Sequence, residues 1–199
     1  MGIHAEHCTI CNGEGCSKCS PEDYDANEGG IQMEEREKFT FFWGGPSAIG
    51  QFSQWAFSPF TIGGILYSCA EQWMMAEKAR LFGDTETLAK IMATNDPMEQ
   101  KALGKQVKGF DKATWEAHDE DIVYRGSVAK YQQNPELKRT LLSTVGTTIV
   151  EASPEDHLWG IGLRRDDPRA QHRATWEGLN KLGKILTRVR DEFISGVLK

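Results

Sequence analysis

Between Phe39 and Ser68, short runs of aromatic and β-branched residues are broken by Gly44-Gly45-Pro46, Ser58-Pro59 and Gly63-Gly64. Runs of this kind bounded by turn formers predict strands, and Ile62-Gly63-Gly64-Ile65 predicts a hairpin with the glycine pair at its turn. After Ser68 the apolar positions recur at helical spacing. Residues 70–82, AEQWMMAEKARLF, are strong helix formers with Ser68 as the N-cap. Further helices are predicted over 84–93, 97–106, 112–133 and 135–143, the last two separated by Asn134-Pro135, and over 173–194. TTIVEA at 147–152 predicts a returning strand, and the loop at 153–172 carries Gly160, Gly162 and Pro168. Strands early and helices later predict an α+β fold, a helix-rich domain around a small sheet.

The 199 residues include 39% apolar positions, six Trp and nine Phe, enough to bury a sizeable core. No apolar run reaches the roughly 18–20 residues needed to span a bilayer, and MGIHAEHCTIC lacks the apolar stretch of a signal peptide. A cytoplasmic protein with no membrane partner is expected. Charge divides the chain. Residues 1–38 hold nine Asp or Glu against three Lys or Arg, so the formal charge of −6 lies there and the remainder is balanced. A balanced body argues against a nonspecific nucleic-acid coat, which needs a basic field, but not against an enzyme gripping one nucleotide.

Within residues 1–20, Cys8, Cys11, Cys16 and Cys19 are spaced C-x2-C-x4-C-x2-C. Two C-x-x-C steps bring four thiolates to one tetrahedral metal, so a structural Zn2+ is expected, with an iron–sulfur cluster or disulfides as alternatives. Residues 21–38 are acidic, contain glycine and are poor in apolar residues, the composition of a linker to a main domain over 39–195.

On the helix at 70–82, Glu71, Met74 or Met75, and Lys78 fall on one face. If that face is buried, the acid and the amine need each other or a ligand; otherwise they are a surface acid at a helix start and an exposed lysine. Asp156 and His157 sit beside Trp159-Gly160 in the loop, where backbone can approach a ligand closely. The aromatic surplus, Trp43, Phe52, Trp55, Phe57, Trp115 and Trp159, suits stacking on a nucleobase as well as core packing. Walker A, G-x-G-x-x-G, G-x-S-x-G and H-E-x-x-H patterns are absent, leaving the common phosphotransfer, hydride-transfer, serine-hydrolase and zincin readings without support. Cys69 has no His partner near it in sequence and is expected to pack.

Taken together, GQFSQW, GILYSCAEQWMMAEKARLF, KATWEAHDEDIVYRG, IVEASPEDHLWGIG and NKLGKIL resemble the YbiA-like NADAR family over about residues 39–195. The cysteine segment lies outside that resemblance. The family implies a compact α+β domain and N-glycosidase chemistry with no catalytic cofactor. The implied substrates are early riboflavin-pathway ribosylamino-pyrimidine phosphates, or ADP-ribose on guanine, the latter admitting nucleic acid as a modified substrate. Matched position by position, the resemblance assigns Glu71 and Lys78 to the motif helix, Trp115 to the start of a long helix, Asp156, Trp159 and Gly160 to the loop, and Asn180 to a turn. The sequence departs from the family pattern at Tyr67-Ser68-Cys69-Ala70 and at Gln72. Glu71 and Asp156 are then expected in the acidic roles. Lys78 is expected to act in catalysis, as a cation or as an amine nucleophile. Trp43, Phe52 and Trp115 are expected around the base, and Arg164 or Arg165 on phosphate. The competing expectation is a non-catalytic module that binds ADP-ribose or a nucleotide.

Overall fold

Strand β1 (Phe39–Phe42) runs parallel to β4 (Thr148–Glu151), in register from Phe39 opposite Thr148 to Phe42 opposite Glu151. The computed structural model describes residues 37–43 and 50–199, so Cys8, Cys11, Cys16, Cys19 and most of the acidic linker lie outside the described residues. The described unit starts at Glu37, whose carboxylate pairs with Arg173 and accepts from Thr148.

The period-two pleat of β4 sends neighbouring side chains to opposite sides. Ile149 joins the main core with Leu182 and Leu186, whereas Val150 joins a smaller cluster with Ile161, Leu163 and Ala170. Strands β2 (Phe60–Ile62) and β3 (Ile65–Tyr67) form the expected antiparallel hairpin. Gly63 and Gly64 have φ of 60° and 80°, which fits a turn that needs two left-handed residues in succession.

Helix α1 (Ala70–Leu81) buries residues 70–76 and Ala79, more than one face, because it lies between α2 (Thr85–Ala93), α3 (Pro97–Gly104) and α5 (Asp119–Gln133). The Trp73 indole N–H donates to the Ile122 carbonyl at 2.7 Å, locking α1 to α5. Asp84, Asp96 and Asp111 cap α2, α3 and α4 (Lys112–Glu116), each accepting a backbone N–H of the first turn. Helix α6 (Pro135–Leu142) follows Asn134-Pro135 as expected, and α7 (Lys181–Ile194) packs on β4.

Three expectations are corrected. Cys69, not Ser68, occupies the N-cap position of α1 and makes no side-chain cap; instead Gln72 Oε1 accepts from the Ser68 N–H at 2.7 Å. The helix expected over 112–133 breaks at Ala117-His118. Asp119, fully buried, restarts it at the N-terminus of α5, paired with Lys181 at 3.0 Å. The last helix starts at Lys181 rather than 173, because residues 168–175 form short 3-10 turns and Asn180 adopts left-handed backbone.

Gly183 sets the approach of α7 to β4, since a Cβ there would stand 2.2 Å from the Ile149 carbonyl oxygen. Overpacking costs about 1–3 kcal/mol, against about 1 kcal/mol gained in helix propensity by replacing glycine. Gly183→Ala is expected to lower Tm in calorimetry, while Lys184→Ala on the exposed side of the same helix leaves it unchanged.

Candidate active site

The carboxyl ends of the parallel pair open into a cleft of about 860 Å3, the edge at which strands of this kind present ligands. Trp43 follows β1, Glu151 ends β4, and Asp156 and Trp159 lie in the loop beyond it. Helix α1 contributes Glu71, Met74, Met75 and Lys78, α3 contributes Lys101, and α4 contributes Trp115. A further wall is made by residues 50, 51 and 53–56, including Gln54 and Trp55.

Glu71 enters because it sits in the first turn of α1, where its backbone N–H donates to the Gln54 carbonyl at 3.0 Å. Its side chain is buried, so of the two alternatives for this helix face the burial alternative holds. Removal from water pushes the Glu71 carboxyl up to about 7, against the pull of the Lys101 ammonium and the Trp55 indole, with Asp156 adding to the rise and Lys78 opposing it. Lys78 is half-buried; its Nζ lies 4.2 Å from the Phe110 ring centre and 5.5 Å from that of Trp115. Burial moves its amine down from the ordinary lysine value, and Glu71 opposes that shift.

Asp156 is held by its own loop. Oδ1 accepts from the Leu158 and Trp159 N–H groups at 3.0 and 2.7 Å, which turns the chain and brings Trp159 to the cleft. Glu151, at the end of an apolar strand, is raised to about 8 by burial first and by Asp156 second; Lys101 opposes the rise and Glu71 adds to it. The opposite wall hangs from α5, where the buried Lys130 ammonium donates to the Gln51 and Ser53 carbonyls at 2.8 and 3.0 Å. Burial pushes Lys130 down to about 7.

The cleft thus gathers Glu71, Lys78, Asp156, Trp43, Trp115 and Trp159 from the expected set. It does not take the rest. Phe52 is 1% exposed and packs edge-on against Phe42 and Tyr131, because the short 3-10 turn at 50–52 points it inward. Asn180 is fully buried behind the wall, bonded to β4, and its backbone N–H donates to the Gly160 carbonyl at 2.9 Å. Gly160 is buried there too, outside the cleft lining. Arg164 and Arg165 are exposed on a loop away from it. Cys69 packs as expected, its thiol facing Gln100.

Glu151 and Lys101 are not legible as site residues in the sequence, and Trp55 is marked there only as part of the aromatic surplus. An acid ending the apolar run TTIV, five residues before Asp156, was the available signal for Glu151. Trp55 was one aromatic among many, and Lys101 had no signal at all. Among the described residues no group of three or more His, Cys, Asp or Glu is arranged to hold a metal ion, and no helix is long and apolar enough to cross a membrane.

The chain has known relatives. The NADAR domain family model matches residues 41–194. The chain is 41% identical over 166 residues to N-glycosidase R617 of Acanthamoeba polyphaga mimivirus, a match covering 79% of this chain and 98% of that protein. It is 34% identical over 116 residues to the chloroplastic riboflavin biosynthesis protein PYRR of Zea mays, covering 56% of this chain and 17% of that protein. The NMR structure of the Escherichia coli protein YbiA matches with a TM-score of 0.68 at 25% identity, covering 85% of this chain and 93% of that one. By the match of its main domain, the chain belongs to the NADAR family.

Proposed function

We propose that this protein is an N-glycosidase hydrolysing the C1′–N bond of a ribosylated base. The observation that carries the proposal is the convergence of Glu71, Glu151 and Asp156 with Lys78 and Lys101 in one cleft, where burial raises two of the carboxyls. Breaking a C1′–N bond places positive charge on the ribose, and a fixed carboxylate at low dielectric stabilises it. Glu71 is assigned to that position. Asp156, oriented by its two backbone donors, is assigned to the attacking water. Trp43, half exposed at the end of β1, offers a ring face to the base. The names of the relatives, N-glycosidase and a riboflavin biosynthesis protein, support this reaction class. The substrate is either ADP-ribose on guanine or an early riboflavin-pathway ribosylamino-pyrimidine phosphate. A module that only binds has no use for buried carboxyls whose ionisation costs stability.

A second route through the same site is favoured by Lys78, whose ammonium is disfavoured by burial and flanked by two rings. Its amine adds to C1 of the ring-opened ribose imine, the base leaves as the free amine, and water hydrolyses the lysine Schiff base to return both amine and sugar aldehyde.

Purified protein is to be incubated with both substrates and the products read by mass spectrometry. Release of free ADP-ribose, or of ribose 5-phosphate with free base, is the expected result; binding without release would sink the reading. Glu71→Gln is expected to cut kcat by about 100- to 10,000-fold. Its Tm at pH 8 is expected to be unchanged or raised. The folded-state value near 7 lies above the unfolded one, so the stability that protonated Glu71 contributes is lost as pH rises to about 7, and the neutral amide removes that loss. In the wild type, turnover is expected to rise with pH through about 7 as Glu71 ionises. Lys78→Arg keeps a cation without the nucleophile and is expected to lose turnover, while cyanoborohydride traps a covalent adduct on the wild type alone; full activity in Lys78→Arg would exclude the Schiff-base route.

A further inference from the structure

Breaking the C1′–N bond leaves an electron pair on the base nitrogen, which departs readily only if protonated. The residue placed to meet that demand is Glu151. Its Oε2 is buried with no hydrogen-bond partner among the described residues, in a cleft where other buried polar side chains are bonded. A carboxylate oxygen in that position lacks any donor and is costly; a protonated carboxyl is neutral and needs only an acceptor. Glu151 lines the cleft, and there the nitrogen of a bound ribosylated base is an acceptor for its carboxyl.

The backbone gives the carboxyl little freedom. Glu151 N–H donates to Asn180 Oδ1 at 3.0 Å, its carbonyl accepts from the Ile161 N–H at 3.0 Å, and its strand partner is Phe42. With Val150 turned into the small apolar cluster, the Glu151 side chain lies along the cleft. The charged groups acting on it are Asp156 from the following loop, Glu71 from α1 and Lys101 from α3. Two acids against one lysine, together with burial, hold the proton on Glu151 up to about pH 8.

We infer that Glu151 is the proton donor of this site, its carboxyl passing a proton to the nitrogen of the leaving base. The inference rests on the N-glycosidase reading. The C1′–N electron pair goes to nitrogen, the new N–H bond forms from Glu151, and Glu151 becomes a carboxylate. Water adds through oxygen to C1′ and gives its proton to Asp156. After release, solvent returns a proton to Glu151 and takes one from Asp156; repulsion from Asp156 and Glu71 drives the re-protonation.

The test compares the full-length wild type with Glu151→Gln, which is neutral and nearly the same shape as the protonated acid. Two classes of substrate are used: ribosylated bases that need a proton to leave, and a ribosylated pyridinium, whose base departs neutral without one. On the first class Glu151→Gln is expected to lower kcat by about 100- to 10,000-fold with KM and Tm little changed. On the pyridinium it is expected to keep turnover close to wild type. The wild-type kcat profile is expected to fall above about pH 8, and the variant to lack that limb. Equal losses on both classes, or no loss, would overturn the assignment. A second measurement is independent of turnover: the infrared difference between wild type and variant at neutral pH should contain the carbonyl stretch of a protonated carboxyl. Its absence overturns the donor role even in an active enzyme. Its presence in a wild type that cleaves no ribosylated base means that the N-glycosidase reading has failed, and the donor role with it.

Discussion

The cleft depends on how Asn180 finishes the outer edge of β4. Among the described residues the sheet containing β4 has two strands, so one edge of β4 meets β1 and the other has no described strand beside it. Helix α7 supplies the missing partners from side chains. Asn180 Oδ1 accepts from Glu151 N–H, Asn180 Nδ2 donates to the Ile149 carbonyl at 3.0 Å, and Thr187 Oγ1 accepts from Ile149 N–H at 3.2 Å. A buried backbone edge left unpaired would be costly and open to a foreign strand. Asn180 reaches this position with φ of 52°, a conformation that asparagine tolerates better than most side chains. Because Gly183 permits close packing, the helix can stand where a third strand would. The end of β4, and hence Glu151 and the loop of Asp156, is set by this junction.

On that frame the site concentrates charge that folding alone would avoid. Glu71 and Glu151 approach each other and Asp156 with their water removed, and the half-exposed lysines only partly offset the repulsion. Both carboxyls are raised relative to the unfolded chain, so the folded state gives up stability as pH climbs through about 7 and 8. An apolar substitute would remove that cost. The proposed chemistry at a glycosidic carbon, in which one acid is ionised while another carries a proton, accounts for the arrangement.

The opposite wall uses a buried cation in the same spirit. Lys130 is held by the Gln51 and Ser53 carbonyls, and beside it the Tyr131 hydroxyl is buried without a partner among the described residues. Hydrogen bonds from an ammonium to carbonyls are strong in a low dielectric. They tie α5 to the segment that carries Gln54 and Trp55, so the aromatic wall is set from the core outward.

The sequence by itself determined whatever depends on residues close along the chain. Aspartates before α2, α3 and α4, the glycine pair of the hairpin, and the helical spacing that puts Glu71 and Lys78 on one face all act within a turn or two. The motif blocks around Glu71 and Asp156 were enough to bring the family into view. Tertiary structure alone decided which aromatic residues face the cleft: Phe52 went to the core while Trp55 went to the wall, three residues apart in the same run. It decided that Asn180 braces β4 rather than lining the cleft, and that Glu151 and Lys101 enter the site. The physical reason is that exposure, unpaired atoms and the summed field of neighbouring charges arise only where α1, α3 and the end of β4 meet. No local pattern in any one of those segments contains them.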